Sequence, residues 1–252
     1  MAFRRICFVT FVTFVSFVAS VCARSPVAPT SHPVFSGPIV RVLMLTATAG
    51  FRHDSIETAR DVMAQLAAAN GLLVSATEDL STINASNLAS FDVVMFANTS
   101  GELAFSAEQR SALLAFVSGG KGFVGTHSAT DTLRDWPEYG RLAGSYVIDH
   151  PWTQQARVLV EDASHPATGI RDAFTLEEEF YVFGDNPRAR VQVLLRLDSV
   201  SVGATGDFPL AWAQPFGGGR SYYNALGHFP NTWRDPRYQR QLIAGIRWAA
   251  NK

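Results

Sequence analysis

Four of the six histidines in this sequence stand where an apolar run gives way to small or polar residues. His53 lies in Gly50-Phe51-Arg52-His53-Asp54, and His127 in Gly125-Thr126-His127-Ser128-Ala129-Thr130-Asp131. His150 lies in Asp149-His150-Pro151-Trp152, and His228 in Leu226-Gly227-His228-Phe229. Imidazole moves protons near neutral pH and is the commonest nitrogen ligand for zinc. Taken singly, each histidine reads as a helix-end residue or a loop residue bonded to backbone; four at one predicted edge point to a site. Glu177-Glu178-Glu179-Phe180-Tyr181 adds carboxylates. Glu177 reads as solvated, whereas Phe180 and Tyr181 should anchor the segment and turn at least one carboxylate, Glu179, inwards. Several histidines with one carboxylate either bind a divalent metal such as zinc, through His53, His127, His150 and His228, or run acid–base chemistry without one. There is no HExxH or other tight metal signature, so the spacing leaves both open.

Segment 125–129 has the strand–turn–helix pattern of a nucleophile elbow. Its central residue is His127 rather than Ser or Cys, and Ser128 is one place too late. A Ser-His-Asp hydrolase is therefore disfavoured.

The elements around these residues alternate. Residues 39–45 form a continuous apolar run, as a central parallel strand buried on both faces requires. Asp54 and Glu57 have capping-box spacing ahead of a helix ending at Asn70-Gly71. Residues 72–74, 91–96 and 121–125 read as further strands, with a helix between the last two capped by Ser106 and Gln109 and ended by Gly119-Gly120. Strand, helix, strand, repeated, predicts right-handed crossovers and a mostly parallel sheet. Residues 156–161, 191–197, 209–214 and 220–225 read as later strands without long helices between them. Gly217-Gly218-Gly219 turns a hairpin, and a last helix covers about 236–250. Ligands of such sheets bind beyond the carboxyl ends of the strands, where the four histidine segments fall.

Arg4-Arg5, an apolar run over 6–21 and Val21-Cys22-Ala23 read as a secretory signal peptide over residues 1–23; the run is short for a membrane span, with a retained anchor as the other reading. Export to the periplasm or the medium is expected, with no membrane attachment after cleavage. Residues 24–38, rich in Pro and Ser, read as a flexible tether, and 39–252 as one domain. Both cysteines, Cys7 and Cys22, fall in the leader. The mature chain thus has no disulfide, thiol nucleophile or thiolate ligand. With 21 basic against 22 acidic residues and no basic block, nucleic acid is not an expected partner. Nothing sets an oligomeric state.

At these residues the chain resembles the ThuA-like family, named for trehalose utilisation. The resemblance spans about 40–250. It rests on Gly50-Phe51-Arg52-His53, Gly122-Phe123-Val124-Gly125-Thr126-His127-Ser128-Ala129-Thr130-Asp131, His150-Pro151, Glu179-Phe180-Tyr181, Pro209-Leu210-Ala211-Trp212, Gly219-Arg220 and Gly227-His228. It implies a flavodoxin-like, doubly wound α/β sheet with helices on both faces, similar to class I glutamine amidotransferases. It does not imply their activity: His127 stands where the amidotransferase cysteine would, and no thioester forms without a thiolate; the triad histidine looks similar in position to His228. The family's association with trehalose implies a carbohydrate partner, such as a keto-glycoside. The leading expectation is a sugar-active enzyme. His127 and His228 are central, His53, His150 and Glu179 complete the site, and Asp131 orients a histidine. Arg52, His53, His150, Trp152 and Tyr181 contact substrate, with Trp152, Tyr181, Trp212 and Trp233 as aromatic faces for sugar rings. A non-catalytic sugar-binding protein and a metal-dependent hydrolase of a non-sugar substrate stay open as alternatives.

Overall fold

The computed structural model describes residues 35–252; the expected leader and most of the expected tether lie outside them. Nine strands form a single sheet: β1 (Val40–Leu45), β2 (Leu72–Thr77), β3 (Val93–Ala97), β4 (Gly122–Thr126), β5 (Val147–Val160), β6 (Phe174–Phe183), β7 (Gln192–Leu197), β8 (Pro209–Phe216) and β9 (Gly219–Asn224). Their order is β2-β1-β3-β4-β9-β8-β7-β5-β6. The pairs from β2 to β9 are parallel and those from β9 to β6 antiparallel, so the sheet changes character at β9. The central strands β3 and β4 are buried at every residue, as expected of parallel strands covered on both faces.

Helices α1 (Ser55–Ala69), α5 (Pro230–Arg234) and α6 (Pro236–Ala249) pack together as one layer, and α2 (Ala85–Leu88), α3 (Ala107–Ser118) and α4 (Pro137–Ala143) as the other. The doubly wound α/β fold with a late hairpin is thus what the chain adopts. Among the described residues no helix is long and apolar enough to cross a membrane.

Three local expectations change. The Ser106/Gln109 capping box forms, but the one at Asp54 does not. Asp54 has helical backbone angles (φ −66°, ψ −20°), whereas a capping side chain needs an extended N-cap backbone to reach the N–H groups behind it. The strand expected from 156 starts at Val147 and takes in His150, with register shifts between Val147 and Trp152; such bulges re-aim side chains. The acidic run, unassigned from the sequence, lies inside the ten-residue strand β6.

Candidate functional site

β4 delivers His127 through a sharp turn. Its φ is +46°, a left-handed conformation that costs a non-glycine residue about 1–3 kcal/mol and is kept where the surroundings fix it. Here they do. The His127 carbonyl accepts from Tyr223 Oη at 2.7 Å and Thr130 Oγ1 at 3.3 Å, and its Nδ1 faces the Ala225 carbonyl at 2.9 Å. A carbonyl only accepts, so Nδ1 carries the proton and Nε2 of the neutral ring presents its lone pair.

Around that Nε2 stand His53 Nε2 at 3.0 Å, Tyr181 Oη at 3.0 Å, His228 Nδ1 at 3.2 Å and a Glu179 carboxylate oxygen at 3.4 Å. One atom each from His53, His127, Glu179 and His228 lies within 4.8 Å of all the others. Three imidazole nitrogens and a carboxylate oxygen pointing at one another need shared protons or a cation among them. Three nitrogens and one oxygen are a donor set that suits zinc, and the residues therefore fit a divalent metal. Burial, aided by His127 and His228, pushes the His53 imidazole down to about 3; it stays neutral and able to ligate. Burial pushes Glu179 up, but the His127 and His228 imidazoles beside it outweigh this and hold the carboxyl well below its usual range. Burial pushes His228 down, and the Glu179 carboxylate more than reverses this.

The expected four-histidine set is not the one that converges. His150, with 62% of its side chain exposed, meets Glu179 from outside, Nδ1 lying 3.1 Å from Oε1. Glu179, on β6, takes the fourth inner place, while His150 stands on the bulged start of β5. Tyr181, nearly buried, stacks on His127 with ring centroids 4.4 Å apart. Asp131 lines the pocket but is held by Arg134 at 3.0 Å and bonds to no histidine. Arg52 turns out to Glu57 and Glu78 at 2.8 and 2.9 Å, away from the cluster. Trp152 packs edge-on against Phe208, and Trp212 and Trp233 are fully buried. None of these four side chains faces the pocket, whose volume is about 210 Å3 and whose wall includes Phe51, His53, Ser128, Arg134, His150 and Tyr181. A larger cavity of about 540 Å3 beside α4 holds no histidine or glutamate.

Sequence reasoning missed Asn98, Ser128 and Glu178. Asn98 follows β3, so the rule that located the histidines would have found it; it donates to the Gly227 carbonyl at 2.8 Å. Ser128 does reach the site, with Oγ 3.4 Å from His53 Nδ1. Glu178 is fully buried, and burial pushes its carboxyl up. Its signal was the alternation Phe174, Leu176, Glu178, Phe180, one inward face of a strand.

Fold and site together define a doubly wound α/β protein with a histidine–glutamate centre at the carboxyl edge of its parallel strands. The family model for ThuA, described as trehalose utilisation, matches residues 41–249, and the chain belongs to that family. A ThuA-like protein from Bacteroides uniformis ATCC 8492 is similar in structure, with a TM-score of 0.73 at 23% identity over 85% of this chain and 93% of that one. Another, from Parabacteroides merdae ATCC 43184, has a TM-score of 0.69 at 18% identity, covering 84% and 90%. A β-galactosidase from Bacillus circulans sp. alkalophilus shares the fold over 83% of this chain but 31% of its own length, at 16% identity and a TM-score of 0.55. No curated protein matches the sequence.

Proposed function

We propose that this ThuA-family protein is an exported enzyme that acts on a sugar or sugar derivative at a divalent-metal centre held by His53, His127, His228 and Glu179. The observation that carries it is the convergence of their four ligand atoms within 4.8 Å around an Nε2 whose own Nδ1–H is committed to a backbone carbonyl. A bound divalent ion would polarise a carbonyl or hydroxyl oxygen, or activate water. The chain's own groups do the rest. The Tyr181 hydroxyl donates into the cluster, His150 fixes the outer oxygen of Glu179, and Asp131 with Arg134 offers an acceptor and a donor on the pocket wall.

The carbohydrate reading is supported by the family's description, trehalose utilisation, and by the pocket. At about 210 Å3 it is smaller than the ~300–1,000 Å3 typical of ligand sites, so it suits one ring rather than a chain of rings. Its mouth carries Phe51 and Ile148, 67% and 61% exposed, and its floor is polar. An amphipathic ring has the same two sides. Export is supported by Arg4-Arg5, the apolar run after them and Ala23 at the cleavage position.

Metal analysis after mild purification, and turnover of a panel of glycosides and 3-keto-glycosides with and without zinc, test the proposal. It expects a stoichiometric divalent metal and turnover that His127→Ala lacks. Protein essentially free of metal and inactive with added zinc overturns it. Saturable sugar binding that survives removal of the histidines would mark a non-catalytic binding protein instead. Export is checked by amino-terminal sequencing of the secreted protein, expected to begin at Arg24.

A further inference from the structure

The loop carrying His228 is gripped at Gly227 and His228 from opposite sides. On one side both oxygens of Glu178 accept backbone N–H groups: Oε2 from Gly227 at 2.9 Å, and Oε1 from His228 at 3.0 Å. Oε1 also accepts the N–H of Glu179 at 3.0 Å. On the other side the Gly227 carbonyl accepts from Asn98 Nδ2 at 2.8 Å, Trp233 Nε1 at 2.9 Å and Ser55 Oγ at 3.1 Å. Only glycine fits this conformation: Gly227 has φ +123°, and a Cβ there would lie 2.8 Å from Tyr238 Oη.

A fully buried carboxylate is expensive unless its bonds demand it. Glu178 is fully buried and forms no ion pair with Lys or Arg among the described residues. Its three backbone partners are all donors, and only an acceptor-only group with two oxygens satisfies them together. Glutamine would place an NH2 against one N–H, and leucine would orphan all three. Its neighbour Glu179 points to the other face of the same strand, into the histidine cluster. One strand therefore supplies a proposed ligand and, one residue earlier, the group that grips the backbone of another.

We propose that Glu178 is a positioning residue of the metal centre: by clamping the Gly227 and His228 N–H groups it sets where the His228 imidazole meets Glu179, His53 and His127. The inference rests on the metal reading above. Groups that orient ligands without touching the ion typically contribute about 10–100-fold to affinity.

The test is zinc affinity by chelator competition, together with the visible absorption spectrum of the cobalt(II)-loaded protein, on wild type, Glu178→Gln and Glu177→Gln. Glu177 is the exposed neighbour and serves as control. Glu178→Gln, with wild-type circular dichroism in the metal-free state, is expected to lose about 10–100-fold in zinc affinity and to show an altered cobalt spectrum, Glu177→Gln neither. Affinity within about a factor of three of wild type with an unchanged spectrum, or an equal loss in Glu177→Gln, overturns the inference. Should Glu178→Gln not fold, Ser55→Ala loosens the same peptide from its other side. It is expected to shift spectrum and affinity the same way by less, and no change in either overturns the proposal. Wild type that binds no zinc removes the metal reading itself; wild type and Glu178→Gln binding alike removes only the role of Glu178.

Discussion

His127 shows how one backbone acceptor decides what an imidazole can do. With its Nδ1 proton given to Ala225, the other nitrogen is left bare at 3.0–3.4 Å from four polar atoms. The histidines were legible because imidazole is rare and their segments end apolar runs. Glu179 was legible as well, from the Phe180 and Tyr181 that follow it and anchor its segment; the burial of Glu178 was not, since it shows only once the strand through the acidic run is known. Arg52, beside His53 in sequence, was misplaced for the opposite reason: Glu57 and Glu78, on the far side of the loop, draw it outwards. At this scale Phe51 makes the sharpest test of the sugar reading. Two-thirds of the residue is exposed, so Phe51→Ala should change stability by no more than about 0.5 kcal/mol. Calorimetric titration is expected to show weaker sugar binding all the same; binding equal to wild type would remove Phe51 from the recognition surface.

At the level of elements, two helix starts that look alike in sequence behave differently. Ser106 accepts the Gln109 N–H and Gln109 returns a bond to the Ser106 N–H, while Asp54 caps nothing with its side chain. Ser106→Ala is therefore expected to cost about 1 kcal/mol in denaturant unfolding, and Asp54→Ala clearly less; equal losses would contradict the cap geometry. The parallel strands were legible as continuous apolar runs. The first half of β5 was not, because residues 148–155 are largely exposed and carry no alternation a strand could be read from, and in β6 the glutamates at 177–179 interrupt the apolar alternation. The loops after β1 and β3 meet at Gly101, whose φ is +72° and whose Cβ, if present, would lie 2.4 Å from the Gly50 nitrogen. Gly101→Ala should destabilise by on the order of 1–3 kcal/mol and displace the segment bearing His53. A melting temperature unchanged from wild type would show that the contact relaxes freely.

Taken whole, the molecule joins a parallel half to an antiparallel half, and a four-membered ion network, Arg188 and Arg196 with Glu161 and Asp207, fastens the rim of the second. Arg188 bonds bidentately to Asp207 (2.6 and 2.6 Å) and to Glu161 (2.8 and 3.1 Å), linking three loops. Its guanidinium holds the Asp207 carboxyl below its ordinary value. A depressed carboxyl contributes stability above its unfolded value and loses it as the pH falls through the folded one. Arg188→Leu should thus lower the melting temperature at neutral pH, by an amount equivalent to about 1 kcal/mol at this partly exposed site. The gap to wild type should close below about pH 4; a gap that persists in acid would assign the loss to packing. The cluster spans the two halves as well. His53 and His127 are 74 residues apart in the chain, and His127 and His228 a further 101. Both cysteines of the sequence lie before residue 23, so no disulfide fastens the domain. An ion held by these side chains would be its one long-range staple, closing loops of a length at which a tether most restricts the unfolded chain. Chelation would then cost thermal stability as well as turnover, and no fragment lacking the last strand and the loop after it could retain the ion.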